Sequence, residues 1–407
     1  MSTHCLITGL DVVAPNGLGA PAYWEATVAG ESGLRPFTRF DAARYPVKVG
    51  GEVTGFRPED RVPARLLPQS DPVTWFALAA TQGALDDAGM DVGTFDPYDV
   101  GVVTSLAFGG FEFGQRELQK SWSQGPQAVS AYQSFAWFYA VNTGQISIRH
   151  GLRGHGSVLV SEQAGGLDAL GHARRLLRNE TLRVAVAGAM EAPLCPWGLA
   201  GQIASGLLST ESDPARAYLP FDRAAGGHVP GEGGAMFVLE RADAAFERAY
   251  GAITGYAASF DPPPGSSRPG ALSRAISGAL DDAGLAPERI GVVLADAGGR
   301  PDLDAAEAGA IAEVFGHRGV PVAAPKALTG RLYAGGAALD VACALLIMRH
   351  GVIPAVPYEP DLPSAYNLDL VTGHPRPAHV EHALVIARGH GGFNAALIVS
   401  TVKGGQR

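Results

Sequence analysis

The stretch Ser157-Val-Leu-Val-Ser-Glu-Gln-Ala-Gly-Gly-Leu-Asp-Ala-Leu170 decides how this chain is read. It spells a short apolar strand, Ser157–Ser161, a tight turn at Glu162-Gln163 and a helix opening on Gly165-Gly166. Such a strand-to-helix elbow presents one side chain to a pocket and aims the first helical N–H groups and the helix dipole at it. The corner suits a cysteine or serine, whose thiolate or alkoxide gains from the helix N-terminus. Here the presented residue is Gln163, a carboxamide without an ionisable proton or useful nucleophilicity. The elbow is built, and its chemistry is replaced.

Outward from the elbow, short β-branched runs alternate with helical stretches. Cys5–Leu10, Gly101–Ser105, Val184–Ala189 and Ala235–Leu239 read as buried strands, and Thr74–Ala88 and Leu167–Leu177 carry helical periodicity. A loop rich in proline and glycine, Asp261–Gly270, separates this half from a second of the same style. That half has helices at Ala271–Ala283 and Leu303–Phe315, and strands at Gly291–Ala295, Ala383–Ala387 and Ala395–Thr401. The pattern predicts an α/β fold with a parallel or mixed sheet covered on both faces. Gly335-Gly336 opens a buried helix as Gly165-Gly166 does, which suggests an internal duplication.

The 407 residues, 46 % hydrophobic and 17 % charged, suit a large buried core. A net charge of −9 argues against nucleic-acid binding. The basic run Arg174-Arg175…Arg178 reads as a solvated helix face, or as part of a docking patch for an acidic carrier protein. Cys5, Cys195 and Cys343 form no CxxC pair, so disulfides and a thiolate metal site are not expected and a reducing cytoplasm fits. Cys5 and Cys343 read as buried inert thiols. No signal peptide or membrane span is expected. No metal, nucleotide or flavin signature stands out, so no cofactor is assigned.

Four further motifs carry a family resemblance. They are Pro220-Phe-Asp-Arg223…Gly231-Glu-Gly-Gly234, Asp304-Ala-Ala-Glu307 with Ala310-Ile311 and Val314-Phe-Gly316, Pro325-Lys326…Thr329-Gly330, and Gly391-Gly-Phe-Asn394. In this order they resemble the ketosynthases of the thiolase-like superfamily. The chain looks most like the partner subunit of type II polyketide ketosynthases, called chain length factor or ketosynthase β. The resemblance implies a thiolase-like fold of two duplicated halves, residues 1–250 and 251–407, in a layered αβαβα architecture. It implies a heterodimer with a ketosynthase α subunit, served by an acyl carrier protein whose phosphopantetheine arm is a substrate handle rather than a cofactor.

Carried over position by position, the resemblance places Gln163 where a condensing enzyme has its acyl-accepting cysteine. Its two catalytic histidines map to Asp296 and Arg331, and the gating phenylalanine maps to His390, with Arg388 two residues earlier. Only the structural Lys326 is kept. Decarboxylative condensation needs a thiolate and two imidazoles to stabilise the developing enolate. An anionic Asp296 would oppose the enolate, and Arg331 cannot shuttle a proton. Condensing activity is therefore read as absent, and an internal Asp296–Arg331 salt bridge is expected to close the old site. His228 and His390 read as hydrogen-bonded residues of glycine-rich loops.

Gln163 has two readings. One, a proposal attached to this family, has its amide decarboxylate malonyl groups on the carrier to supply an acetyl starter. The other, favoured without imidazoles nearby, has it hydrogen-bond the elbow's N–H groups in a vestigial pocket. The positive function then falls on Phe111, Gly114 and Leu118, which share one helix face at i, i+3 and i+7. The resembling segment lines the substrate tunnel at the interface and limits polyketide length. With no side chain at Gly114 and only leucine at 118, an open tunnel floor and a longer product, around decaketide rather than octaketide, are expected.

Overall fold

The computed structural model describes residues 5–241, 249–263 and 265–402; Pro264 of the proline-rich loop lies outside them. The first half contributes β1 (Cys5–Ala14), α1 (Pro72–Asp87), β2 (Val100–Ser105), α2 (Phe111–Gln124), β3 (Gly156–Leu159), α3 (Gly165–Arg178), β4 (Val184–Glu191), α4 (Pro196–Ile203) and β5 (Gly233–Arg241). The second contributes β6 (Gly251–Phe260), α5 (Leu272–Ala283), β7 (Val292–Leu294), α6 (Pro301–Phe315), β8 (Pro321–Ala323), α7 (Tyr333–His350), β9 (His382–Gly389) and β10 (Phe393–Ser400).

Strand order exposes the duplication. The first half runs β1-β5-β4-β2-β3 and the second β6-β10-β9-β7-β8. In both, the first two pairings are antiparallel and the next two parallel. Cys5–Ile7 pair with Gly251–Ile253, joining the halves into one 12-stranded sheet among the described residues.

Period-two alternation assigns the layers. Ala185, Ala187 and Ala189 of β4, with Ala395, Leu397 and Val399 of β10, face a central core that holds α3 and α7. Their neighbours Val184 and Val186 pack outward with α1, and Ala396 and Ile398 pack outward with α5 and α6. The result is helix, sheet, helix, sheet, helix. Helix α7 is buried at every position from Tyr333 to Ile347, as expected of a central helix apolar all round. Small residues let the two central helices meet, since a Cβ at Gly166 would lie 2.3 Å from the carbonyl oxygen of Ala334.

Two expectations change. The elbow strand stops at Leu159, and Ser161 leaves it because its hydroxyl donates to the Asp168 carboxylate, which also accepts from Tyr256 at 2.7 Å. Arg174 is no solvated residue: it is buried and paired with Asp282 at 2.5 Å, which Arg178 also approaches at 3.6 Å. Arg174 also donates to the Thr254 carbonyl of β6 at 2.7 Å, so the guanidinium is held between β6 and the Asp282 carboxylate of α5. No described helix is long and apolar enough to cross a membrane.

Candidate functional site

The elbow forms as read, with a short 3-10 turn over Glu162–Ala164 feeding α3. Glu162 carries a positive φ of 53°, a conformation costing about 1–3 kcal/mol in a residue other than glycine. Phe221, Ala297 and Tyr333 around the same site are also left-handed. Gln163 is fully buried, but neither atom of its amide meets a protein partner. Its side chain rests against α7, where a Cβ at Gly336 would come within 3.1 Å of Nε2. The expectation that Gln163 binds the elbow's N–H groups is therefore corrected.

Those groups are taken by Glu162. Its Oε2 accepts the backbone N–H of Gln163 at 2.6 Å and of His390 at 3.1 Å, and Arg331 approaches to 4.0 Å. Sequence reasoning placed Glu162 in the turn but gave it no role. The signal was a carboxylate directly before the presented residue, at a corner rich in N–H donors. Burial pushes the Glu162 carboxyl up, while the Arg331 guanidinium opposes that rise.

Asp296 and Arg331 form the expected ion pair at 3.2 Å, with both side chains buried. Arg331 also donates to the carbonyl oxygens of Asp296 at 3.2 Å and Arg388 at 2.7 Å, and Arg388 N–H donates to Asp296 Oδ1 at 3.0 Å. Both members of the pair are thus tied to backbone. Burial pulls against the Arg331 charge, but the Asp296 and Glu162 carboxylates more than offset it and raise its pKa.

The Asp304-x-x-Glu307 spacing now has a physical meaning. On one face of α6, Glu307 accepts the N–H groups of Asp296 at 2.6 Å and Ala297 at 2.8 Å. Asp304 accepts those of Gly299 and Phe221, each at 2.8 Å. These buried carboxylates hold the strained loop that carries Asp296. Burial pushes the Glu307 carboxyl up, with the Asp296 charge adding to the rise, and pushes Asp304 to about 6. Lys326 donates to the Ala295 carbonyl and to Asp340 at 2.6 Å, clamping the start of that loop to α7. Glu191, at the end of β4, accepts N–H groups of Ala107 at 2.5 Å and Phe108 at 3.4 Å, and burial pushes it to about 8.

His228 is buried with its Nε2 lacking a protein partner, so its ring is not hydrogen-bonded there as expected; burial and Arg331 hold it well below the ordinary range. His390 is exposed and engages through its backbone. Among the described residues no cluster of three or more His, Cys, Asp or Glu is placed to hold a metal ion. All three cysteines are buried and free.

Phe111, Gly114 and Leu118 lie on α2 as read, Gly114 buried and the other two half-buried. The open floor is not found. Trp197, at the start of α4, stacks on Phe111 with centroids 4.5 Å apart, and its ring would lie 3.1 Å from a Cβ at Gly114. Trp137 covers the same position from another side. Phe108 completes a row, edge-on to both Phe111 and Tyr333 at 5.4 and 4.6 Å. The row runs from beside Arg331 towards a surface where Tyr132, Trp137, Phe138, Tyr139 and Trp197 are all more than a third exposed.

The fold and the elbow define a thiolase-like ketosynthase scaffold, in which Gln163 stands at the head of α3 and Asp296 and Arg331 pair with each other. The chain belongs to the beta-ketoacyl synthase family, whose N-terminal domain model matches residues 3–245 and whose C-terminal domain model matches residues 250–357. Within it, the chain stands with the ketosynthase beta subunits of type II polyketide synthases. It is 59 % identical over 398 residues to the tetracenomycin polyketide synthase ketoacyl synthase beta subunit of Streptomyces glaucescens, covering 97 % of each chain. It is only 29 % identical to the 3-oxoacyl-[acyl-carrier-protein] synthase 2 of Coxiella burnetii, over 98 % of each. Among solved structures, the ishigamide ketosynthase/chain length factor superposes with a TM-score of 0.91 at 25 % identity, covering 98 % of this chain and 99 % of the other.

Proposed function

We propose that this chain is the non-condensing subunit of a type II polyketide ketosynthase, pairing with a cysteine-bearing α subunit and setting the length of the polyketide that partner builds. The observation that carries this is the pairing of a silent site with a presented aromatic surface. At the elbow, an amide stands where a nucleophile would, and Asp296 and Arg331 neutralise each other where two imidazoles would act. At the surface, β3 is the last strand of the 12-stranded sheet among the described residues, Val160 beyond it is 50 % exposed, and the aromatic row opens nearby.

In this reading Phe111 and Trp197 are the tunnel-limiting rings and Leu118 a lesser contact. Trp197 supplies the bulk that Gly114 lacks, so the longer product inferred from an open floor no longer follows. The substrate arrives on the phosphopantetheine arm of an acyl carrier protein, in the cytoplasm. Decarboxylation of malonyl groups by Gln163 is disfavoured, because the N–H groups that would stabilise the enolate already hold Glu162.

Co-expression tests the proposal. Alone, the chain should not condense malonyl-carrier protein. With its α subunit, polyketide should form, vanish on loss of the partner's cysteine and survive Gln163→Ala. Condensation by this chain alone would overturn it.

A further inference from the structure

The silent site contains one device that the missing nucleophile and imidazoles do not explain. Two backbone N–H groups from segments far apart in sequence, Gln163 at the head of α3 and His390 after β9, converge on one oxygen of Glu162. The loop reaches the elbow because Gly389 has no side chain: a Cβ there would sit 2.3 Å from the carbonyl oxygen of Ser161. Arg331 adds positive charge at 4.0 Å. Two converging N–H donors at a helix N-terminus, backed by a cation, form a receptor for a carboxylate or for a carbonyl oxygen gaining negative charge. Glu162 lies directly before Gln163, and its left-handed backbone turns its carboxylate back onto these donors. Its side chain is 22 % exposed and His390 is exposed, so the receptor borders solvent.

We infer that Glu162 is a built-in occupant of an intact anion receptor, and that its side chain rather than loss of the donors keeps acyl carbonyls out. The inference goes beyond chain-length control: it concerns the elbow alone and is read there rather than in the product. It makes silencing of this chain a matter of occupation as well as of lost reacting groups. A shortened residue at 162 should reopen a site for thioester carbonyls and small carboxylates.

A reporter cysteine tests this in the complex with the α subunit. In Gln163→Cys, the thiolate attacks the carbonyl of acetyl-N-acetylcysteamine. The oxygen holds the negative charge until the C–S bond to N-acetylcysteamine breaks, and the departing thiolate takes a proton from water. Iodoacetamide alkylates the same thiolate by displacing iodide, with no charge developing on a carbonyl oxygen. The ratio of the two rates at one pH cancels the thiolate fraction and isolates the receptor. Peptide mass spectrometry at residue 163 separates this signal from the partner's cysteine. Cys5 and Cys343, pushed by burial to about 12, and Cys195, pushed to about 11, stay silent.

Adding Glu162→Ala should raise the acylation-to-alkylation ratio about tenfold or more, in keeping with about 10²–10³ for one such donor in acyl-transfer enzymes. Glu162→Gln should leave the ratio low, because its amide oxygen still accepts both N–H groups. Glu162→Asp, one methylene shorter, should give an intermediate rise and serves if the alanine variant fails to assemble. Equal ratios for Glu, Asp and Ala would overturn the inference, as would a glutamine variant as open as alanine, since charge rather than occupation would then be responsible.

Discussion

The elbow and the aromatic row lie a few residues apart along the same chain of contacts, linked through Tyr333 and Phe108, but they are built by opposite rules. Around the elbow almost every charged group is buried and tied to backbone. Glu307, Asp304 and Glu162 hold N–H groups, and Arg331 holds two carbonyl oxygens as well as Asp296. Along the row, rings touch rings and the outer members face solvent. The charges at the elbow are met within the chain, although the Gln163 amide and His228 Nε2 keep no protein partner, whereas the aromatic surface beside the terminal strand β3 is presented to solvent. On the proposed reading, the contrast puts the work of this chain at its surface.

The largest expected effect comes from breaking the elbow's ion pair. Arg331→Met should cost about 3–5 kcal/mol in denaturant unfolding of the complex, because Asp296 would be left buried without its cationic partner. Adding Asp296→Asn should recover part of that loss. If Arg331→Met is neutral, the elbow is not held by charge and the contrast fails.

On the aromatic side the effect should appear in the product. Trp197→Ala removes the ring that stacks on Phe111 and covers Gly114, and should lengthen the polyketide detected by mass spectrometry. Its stability cost from lost ring pairing should be about 0.5–1.5 kcal/mol beyond the lost area. Gly114→Phe has no room beside Trp197 and should push that ring into the tunnel, shortening the product. Combining the two substitutions should restore a product near the original length.

Smaller effects sharpen the elbow side. Gln163→Met keeps the length of the side chain and removes two unpartnered polar atoms, so it should stabilise the complex by about 1 kcal/mol in thermal melting. Glu191→Gln tests the buried carboxyls by pH. The carboxyl titrates near 8 in the fold against an ordinary 4.5, so between those values the folded state holds a proton that the unfolded chain has released. Stability from this group is therefore fully present below about 4.5 and lost as pH rises towards 8. Glu191→Gln should flatten the decline of melting temperature across that window; an unchanged slope would remove Glu191 as its source.

Features set by local pattern or by motif position were legible in the sequence. The elbow, the alternation of strand faces and the paired Gly165-Gly166 and Gly335-Gly336 helices follow from periodicity and small residues. The Asp296–Arg331 contact was legible because the family's spacing brings both to one pocket. Glu162 was not, because its role depends on a backbone dihedral and on a loop more than two hundred residues away. Trp197 was missed for a related reason. Gly114 was read by its own missing side chain, and only the packing of α4 on α2 reveals what fills the gap. Arg174 shows the same limit, since a basic run on a helix says nothing of the Asp282 that turns one member inward.

The most direct test of the central claim is the length and yield of polyketide made by the co-expressed complex, compared between Gln163→Ala and Gly114→Phe. The account predicts an unchanged product for Gln163→Ala and a shorter one for Gly114→Phe. Loss of product with Gln163→Ala, together with unchanged length for Gly114→Phe in an assembled complex, would contradict it.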